Sequence, residues 1–163
     1  MKTSLTKKLE RTAMGWLISR GCVAYATECH LSTVGGVADA VGVKLDGTTY
    51  YLEVKQSKGD LFCGKQKRVA NQLNDFPYHH PYDFTYFVLA DGLTLTNDQY
   101  PEWGIISRYG QVIRRAKRRP IVNKDLVEVW RQMANTCSYR AYTLDGVPTK
   151  PAVVYQIPFA LDA

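Results

Sequence analysis

Apolar residues recur along this chain at two different periods, and the changes of period mark its elements. Leu5, Leu9, Ala13, Trp16 and Leu17 fall at three- and four-residue intervals, which predicts an amphipathic helix from residue 3 to about 20. Thr3 or Ser4 can cap its start, and Gly21 suits the position after its last turn. Cys22 to Glu28 is short, apolar and β-prone, so it predicts a first strand, and the polar, glycine-bearing residues 31–36 predict a connection. Val37 to Leu45 and Thr48 to Lys55 are rich in β-branched and aromatic residues and flank an Asp46-Gly47 breaker, which predicts a hairpin.

Beyond the hairpin, Gln56 to Gly64 reads as a polar loop. Val69, Leu73 and Phe76 then give one face of a helix from about Lys65 to Phe76, which Pro77 ends. Asp83 to Ala90 is the most apolar stretch and predicts a buried central strand. Trp103 to Arg108 predicts a fifth strand, and Leu126, Val129, Trp130 and Met133 predict a last helix over residues 124–135. This order gives an α/β sandwich with a mixed sheet between helices. One domain over residues 1–137, followed by an irregular extension over 138–163 rich in proline, accounts for the whole length.

The hairpin carries charges where a buried strand would be apolar. Glu53 and Lys55 are two residues apart and share a face. Whether Asp39 joins them depends on the parity of the connection. A two-residue Asp46-Gly47 turn puts Asp39 on the other face. A three-residue Asp46-Gly47-Thr48 loop pairs Asp39 with Lys55 and Val41 with Glu53, and brings all three together. The three-residue loop is the expectation. Two carboxylates and an ammonium on one face are costly to desolvate, and a divalent cation held by the carboxylates would compensate while leaving the lysine for chemistry. The plainer alternative is a hairpin with one solvated face.

Composition adds limits and a direction. A hydrophobic fraction of 45% with 22% charged residues is that of an ordinary soluble globular domain. No segment is long and apolar enough to span a membrane, the N-terminus lacks a signal-peptide apolar run, and cytoplasmic residence follows as the default. Cys22, Cys29, Cys63 and Cys137 show no metal-ligand spacing and read as reduced thiols. The net charge of +6 favours polyanionic partners. The cations are also clustered. Lys65, Lys67 and Arg68 occupy the first turn of their helix, where the dipole disfavours them unless a phosphate backbone docks there. Residues 103–124 hold no carboxylate after Glu102 but include Arg114, Arg115, Lys117, Arg118 and Arg119, a candidate clamp for nucleic acid or a solvated loop. Lys58 in the polar loop adds to that surface. The adjacent His79 and His80 cannot both face one site on a regular element, and no phosphate-cradling glycine loop calls for an organic cofactor.

The element order, with Asp39 followed by Glu53-Val54-Lys55, resembles the PD-(D/E)XK nuclease superfamily across residues 10–90. Glu28, Lys55-Gln56-Ser57 with Asp60-Leu61, Lys67 and the later Pro101-Glu102-Trp103-Gly104-Ile105-Ile106 look like its MmcB-like DNA-repair branch. Ala38, where the pattern has a charged residue, and the tail beyond Ser138 depart from it. The resemblance implies a restriction-endonuclease-like three-layer sandwich with an αβββαβ core. It implies that Asp39 and Glu53, with the Val54 carbonyl, hold Mg²⁺ or Mn²⁺, and that Lys55 orients or deprotonates the attacking water. Glu10 on the first helix corresponds to an extra acidic ligand, although its own spacing favours a surface charge. Gln66 is a candidate to position water or phosphate. The function implied is Mg²⁺-dependent hydrolysis of DNA in repair, recombination or phage-type processing, with a homodimer if both strands are cut. The alternatives are a non-catalytic DNA-binding module on the same fold and an interaction protein whose strand charges are ordinary surface groups.

Overall fold

Every residue of β3 (Thr49–Lys55) is buried, and the other elements are stacked on or beside it. The computed structural model of the protein describes residues 3–31, 36–61, 82–119, 126–127 and 129–134. The chain order is α1 (Ser4–Ser19), β1 (Cys22–Leu31), β2 (Gly36–Lys44), β3, a one-turn α2 (Lys58–Leu61), β4 (Phe84–Leu89), β5 (Gly104–Ser107) and β6 (Val112–Arg114). The six strands form one sheet in sequence order. β1, β2 and β3 are mutually antiparallel, β3, β4 and β5 are parallel, and β6 returns antiparallel to β5.

Strand alternation sends the two halves of β3 to different layers. Tyr50, Leu52 and Val54 face α1, where they pack with Leu9, Ala13, Trp16 and Leu17. Tyr51 faces the other way, into a cluster with Val41, Val43, Tyr82, Phe87 and Trp103 that Val129 and Met133 of the helical residues 129–134 help to cover. The protein is therefore a mixed α/β fold with helical layers on both faces of a six-stranded sheet. α1 starts as its sequence predicts: the Thr3 hydroxyl accepts the Thr6 N–H at 3.1 Å. Its first turn is tied to the end of β3, because the Thr3 and Thr6 hydroxyls donate to Gln56 Oε1 at 2.6 and 2.9 Å. At the opposite end of the sheet Asp83, buried, locks the parallel β3–β4 register by accepting both the N–H and the hydroxyl of Thr49, at 2.8 and 3.0 Å.

Several sequence expectations change in detail. β1 runs to Leu31 rather than Glu28. The polar loop after β3 contains α2, whose cap is reciprocal: the Asp60 N–H donates to Ser57 Oγ at 3.1 Å, and Asp60 Oδ2 accepts the Gln56 N–H at 3.0 Å. A sixth strand occupies the middle of the basic run. Gly110, with φ of 82°, lets the chain turn back after β5, and Val112 and Arg114 then face inward while Ile113 faces out. The expected helix over residues 65–76, His79 and His80, Cys63, Cys137 and the extension over 138–163 lie outside the described residues. Cys22 and Cys29 are buried. No helix among the described residues is long and apolar enough to cross a membrane.

Candidate functional site

The hairpin connection decides which charges meet. The Gly47 N–H donates to the Lys44 carbonyl at 3.1 Å, Gly47 has φ of 79°, and the Lys44 N–H donates to the Thr48 carbonyl at 2.9 Å. This is a three-residue loop, a tight turn followed by a left-handed glycine. Its residues are Leu45-Asp46-Gly47 rather than Asp46-Gly47-Thr48, because the Asp46 carboxylate accepts the Thr48 N–H at 2.8 Å and draws Thr48 into the ladder. Val41 consequently pairs with Tyr51, and continuing that register sets Asp39 opposite Glu53 rather than Lys55. The parity is the expected one, so Asp39, Glu53 and Lys55 share a face.

Past the Ala40–Leu52 pair the β2–β3 ladder stops. A continued register would bring the Ala38 carbonyl to the Val54 N–H; instead Asp39 Oδ2 accepts it at 2.8 Å. Val54 points its carbonyl to the same side as its N–H, toward the opening where β2 leaves β3. β1 is irregular at the same level. Glu28, between the Thr27–Ala40 and Cys29–Ala38 pairs, adopts a left-handed φ of 52°, an unusual conformation for a residue with a Cβ.

Glu53 sits at the centre. One carboxylate oxygen accepts a hydrogen bond from the Tyr51 hydroxyl, and the other lies 3.4 Å from Lys55 Nζ. Lys55 is 1% exposed and Glu53 8%, so both side chains are out of water. Burial, and after it the nearby Asp39 charge, push the Glu53 carboxyl up to about 8 against the opposing pull of Lys55 and Tyr51. Burial and the Glu53 charge hold the Tyr51 phenol well above its ordinary value, so it stays a donor. The cluster thus concentrates carboxylate oxygens beyond what one ammonium compensates. Such a donor set fits a hard dication, and Mg²⁺ in particular takes one or two carboxylates and fills its remaining positions with water and phosphate. No group of three or more Asp, Glu, His or Cys side chains at metal-binding distance exists among the described residues, so the fit rests on two carboxylates and a backbone carbonyl.

The other candidates are spread more widely. Glu10 is half-buried on α1, the helix that covers the face of β3 opposite to Glu53. Gln66, Lys65, Lys67 and Arg68 lie outside the described residues. Lys58 is exposed on α2, and Arg115, Lys117 and Arg118 are exposed beyond β6. Lys117 pairs with Glu102 at 2.9 Å, and Arg118 reaches the edge of Asp83 at 3.5 Å. Two members of the expected phosphate clamp are structural instead. Arg114 donates to the carbonyls of Trp103, Thr96, Gln99 and Tyr100 at 2.9 to 3.1 Å, fastening the loop before β5. Arg119 is buried, with Nη2 3.5 Å from Thr85 Oγ1, and burial lowers its guanidinium to about 10. Counting charges along the chain could not separate these two from their solvent-facing neighbours. Tyr51 is the functional neighbour that spacing could have found, since it lies two residues before Glu53 on the same face.

Fold and cluster together define an α/β protein with a carboxylate–lysine site at the point where two central strands separate. No family model matches the chain, and no curated protein matches it. Among solved structures it is similar to a protein of unknown function from Silicibacter pomeroyi, with a TM-score of 0.65 at 15% identity over 88% of this chain and 93% of that one. At that identity the likeness concerns the fold.

Proposed function

We propose that this protein is a Mg²⁺- or Mn²⁺-dependent DNA endonuclease on a restriction-endonuclease-like three-layer fold. The observation that carries this reading is the convergence of Asp39, Glu53 and Lys55 on one face where the β2–β3 ladder ends. Asp39 and Glu53, with the Val54 carbonyl, would hold the cation, which when bound acidifies water and neutralises charge on a scissile phosphate. Tyr51 fixes the orientation of the Glu53 carboxylate. Lys55, relieved of compensating two carboxylates, directs its ammonium toward the attacking water or the phosphate. The exposed cations Lys58, Arg115, Lys117 and Arg118 supply contacts to the DNA backbone.

The test is cleavage of labelled duplex, single-stranded, flap and four-way-junction DNA in Mg²⁺, Mn²⁺ or EDTA, with Asp39→Asn and Lys55→Met run beside the parent. Cation-dependent cutting that both substitutions reduce by at least a hundredfold is expected. Equal cutting by parent and variants refutes the assignment. A second reading, a DNA-binding module that does not cut, draws on the near-complete burial of Lys55 and on Glu53 being satisfied internally by Tyr51 and Lys55. Binding to DNA with no cutting of any substrate under any cation selects it.

A further inference from the structure

The C-terminal ends of the parallel strands carry a second group of side chains suited to nucleic acid. Lys55 is level with Leu89 on β4, and Leu89 with Ser107 on β5. Two strand spacings place Ser107 about 10 Å from Lys55 along the same end of the sheet. The chain then turns tightly. The Gly110 N–H donates to the Ser107 carbonyl at 3.0 Å, and the Ser107 hydroxyl accepts the N–H groups of Tyr109 and Gln111, each at 3.2 Å. The Thr12 hydroxyl on α1 donates to the Arg108 carbonyl at 2.8 Å, which anchors the turn to the helical layer.

On this fixed turn Tyr109 is 69% exposed. The Arg108 guanidinium lies over it at 4.7 Å and is held by Asp91 at 2.6 Å. Asp91 follows Ala90, whose N–H donates to the Lys55 carbonyl at 3.0 Å, so the turn is linked to the end of β3 through a short, ordered path. Leu45, Ile113 and Val127 are also exposed but carry no aromatic ring, and Tyr25, at 39%, is less exposed and lies on the edge strand β1. We infer that the Arg108–Tyr109 turn is a stacking platform for an unpaired base of the nucleic acid presented to the Asp39–Glu53–Lys55 site. Tyr109 offers its ring, and Arg108 can exchange the Asp91 carboxylate for the adjoining phosphate. Stacking on a ring tolerates any base but requires one out of its pair, so the platform selects single strands and tailed or flapped ends over blunt duplex. This inference rests on the nuclease reading and gives it a substrate class.

The test measures binding in EDTA, where no cutting interferes, by fluorescence anisotropy of a labelled oligothymidylate, a duplex with a single-stranded tail, and the same duplex blunt-ended. Tyr109→Ala is expected to weaken binding of the first two about tenfold and to leave the blunt duplex unchanged, while Tyr109→Trp keeps the parent's affinity. A single 5-iodouracil in the tail should crosslink to Tyr109 on irradiation. Unchanged affinity of Tyr109→Ala for single strands, or an equal loss on blunt duplex, overturns the platform. Selective loss in a protein that cuts nothing upholds the platform while the nuclease reading falls, and cutting with no effect of Tyr109→Ala does the reverse.

Discussion

Replacing Glu53 by glutamine removes a strained ionisation while keeping the shape of the side chain and an acceptor for Tyr51. Glu53 is displaced from 4.5 to about 8, with burial as the main cause and Asp39 as the second. At about 1.4 kcal/mol per pH unit, the displacement is worth on the order of 5 kcal/mol. The sign follows from proton counting. Between those two pH values the folded protein holds a proton that the unfolded chain has lost, so stability falls as pH rises and levels off above about 8. Urea unfolding of parent and Glu53→Gln in EDTA at half-unit steps from pH 5 to 9 isolates this group, because other titrations cancel in the difference. The parent should lose several kcal/mol across that span relative to the variant, and at pH 8 the variant should be the more stable protein. Millimolar Mg²⁺ or Mn²⁺ should restore the parent near pH 8 and leave the variant unmoved, because only the parent offers the second carboxylate. Parallel curves for the two proteins, or a variant less stable than the parent at pH 8, would refute the assignment of the strain to Glu53.

Two further outcomes separate structural from solvent-facing parts of the basic strand. Arg114→Ala should destabilise the protein by about 2–4 kcal/mol, since four carbonyls lose a charged donor, while the low-salt DNA affinity of the folded variant stays at the parent's value. Arg115→Glu should do the opposite, leaving the melting temperature within a degree or two and flattening the dependence of DNA affinity on salt. Gly104→Ala should lower stability by about 1–3 kcal/mol, measured by thermal unfolding, because its Cβ would sit 2.1 Å from the Tyr86 ring and 2.7 Å from the Ala116 nitrogen.

The hairpin shows what was legible in the sequence and what was not. The parity of its connection could be argued from the charges, because only an odd-numbered loop brings Asp39 to the face that Glu53 and Lys55 share. The position of the loop could not. The observed loop carries a local side-chain hydrogen bond, from Thr48 N–H to Asp46, a contact that apolar patterning does not register. The basic stretch failed for a related reason. Val112, Arg114 and Ala116 alternate inward against Gln111, Ile113, Arg115 and Lys117 outward, but an arginine at an inward position hides the alternation. Arg114 faces inward to reach four carbonyls of a preceding loop whose path is set by tertiary structure.

β3 explains why the site and the core compete for the same strand. Its even positions bury Tyr50, Leu52 and Val54 under α1, and its odd positions run from Tyr51 in the aromatic core to Glu53 and Lys55. A strand packed on both faces holds its side chains more rigidly than a loop could, which suits groups that must keep a fixed spacing. Rigidity brings desolvation with it, and Glu53 bears that cost. Asp39 adds to that cost with its charge and also shapes the opening. By accepting the Val54 N–H it occupies the hydrogen-bonding position that β2 would need to pair further along β3, and so it holds the strands apart beside the carboxylates. An aspartate-to-alanine change there would therefore remove a carboxylate from the cluster and also release the Val54 N–H to a neighbouring carbonyl, closing the opening. Asparagine, which keeps the acceptor, is the substitution that separates the two effects.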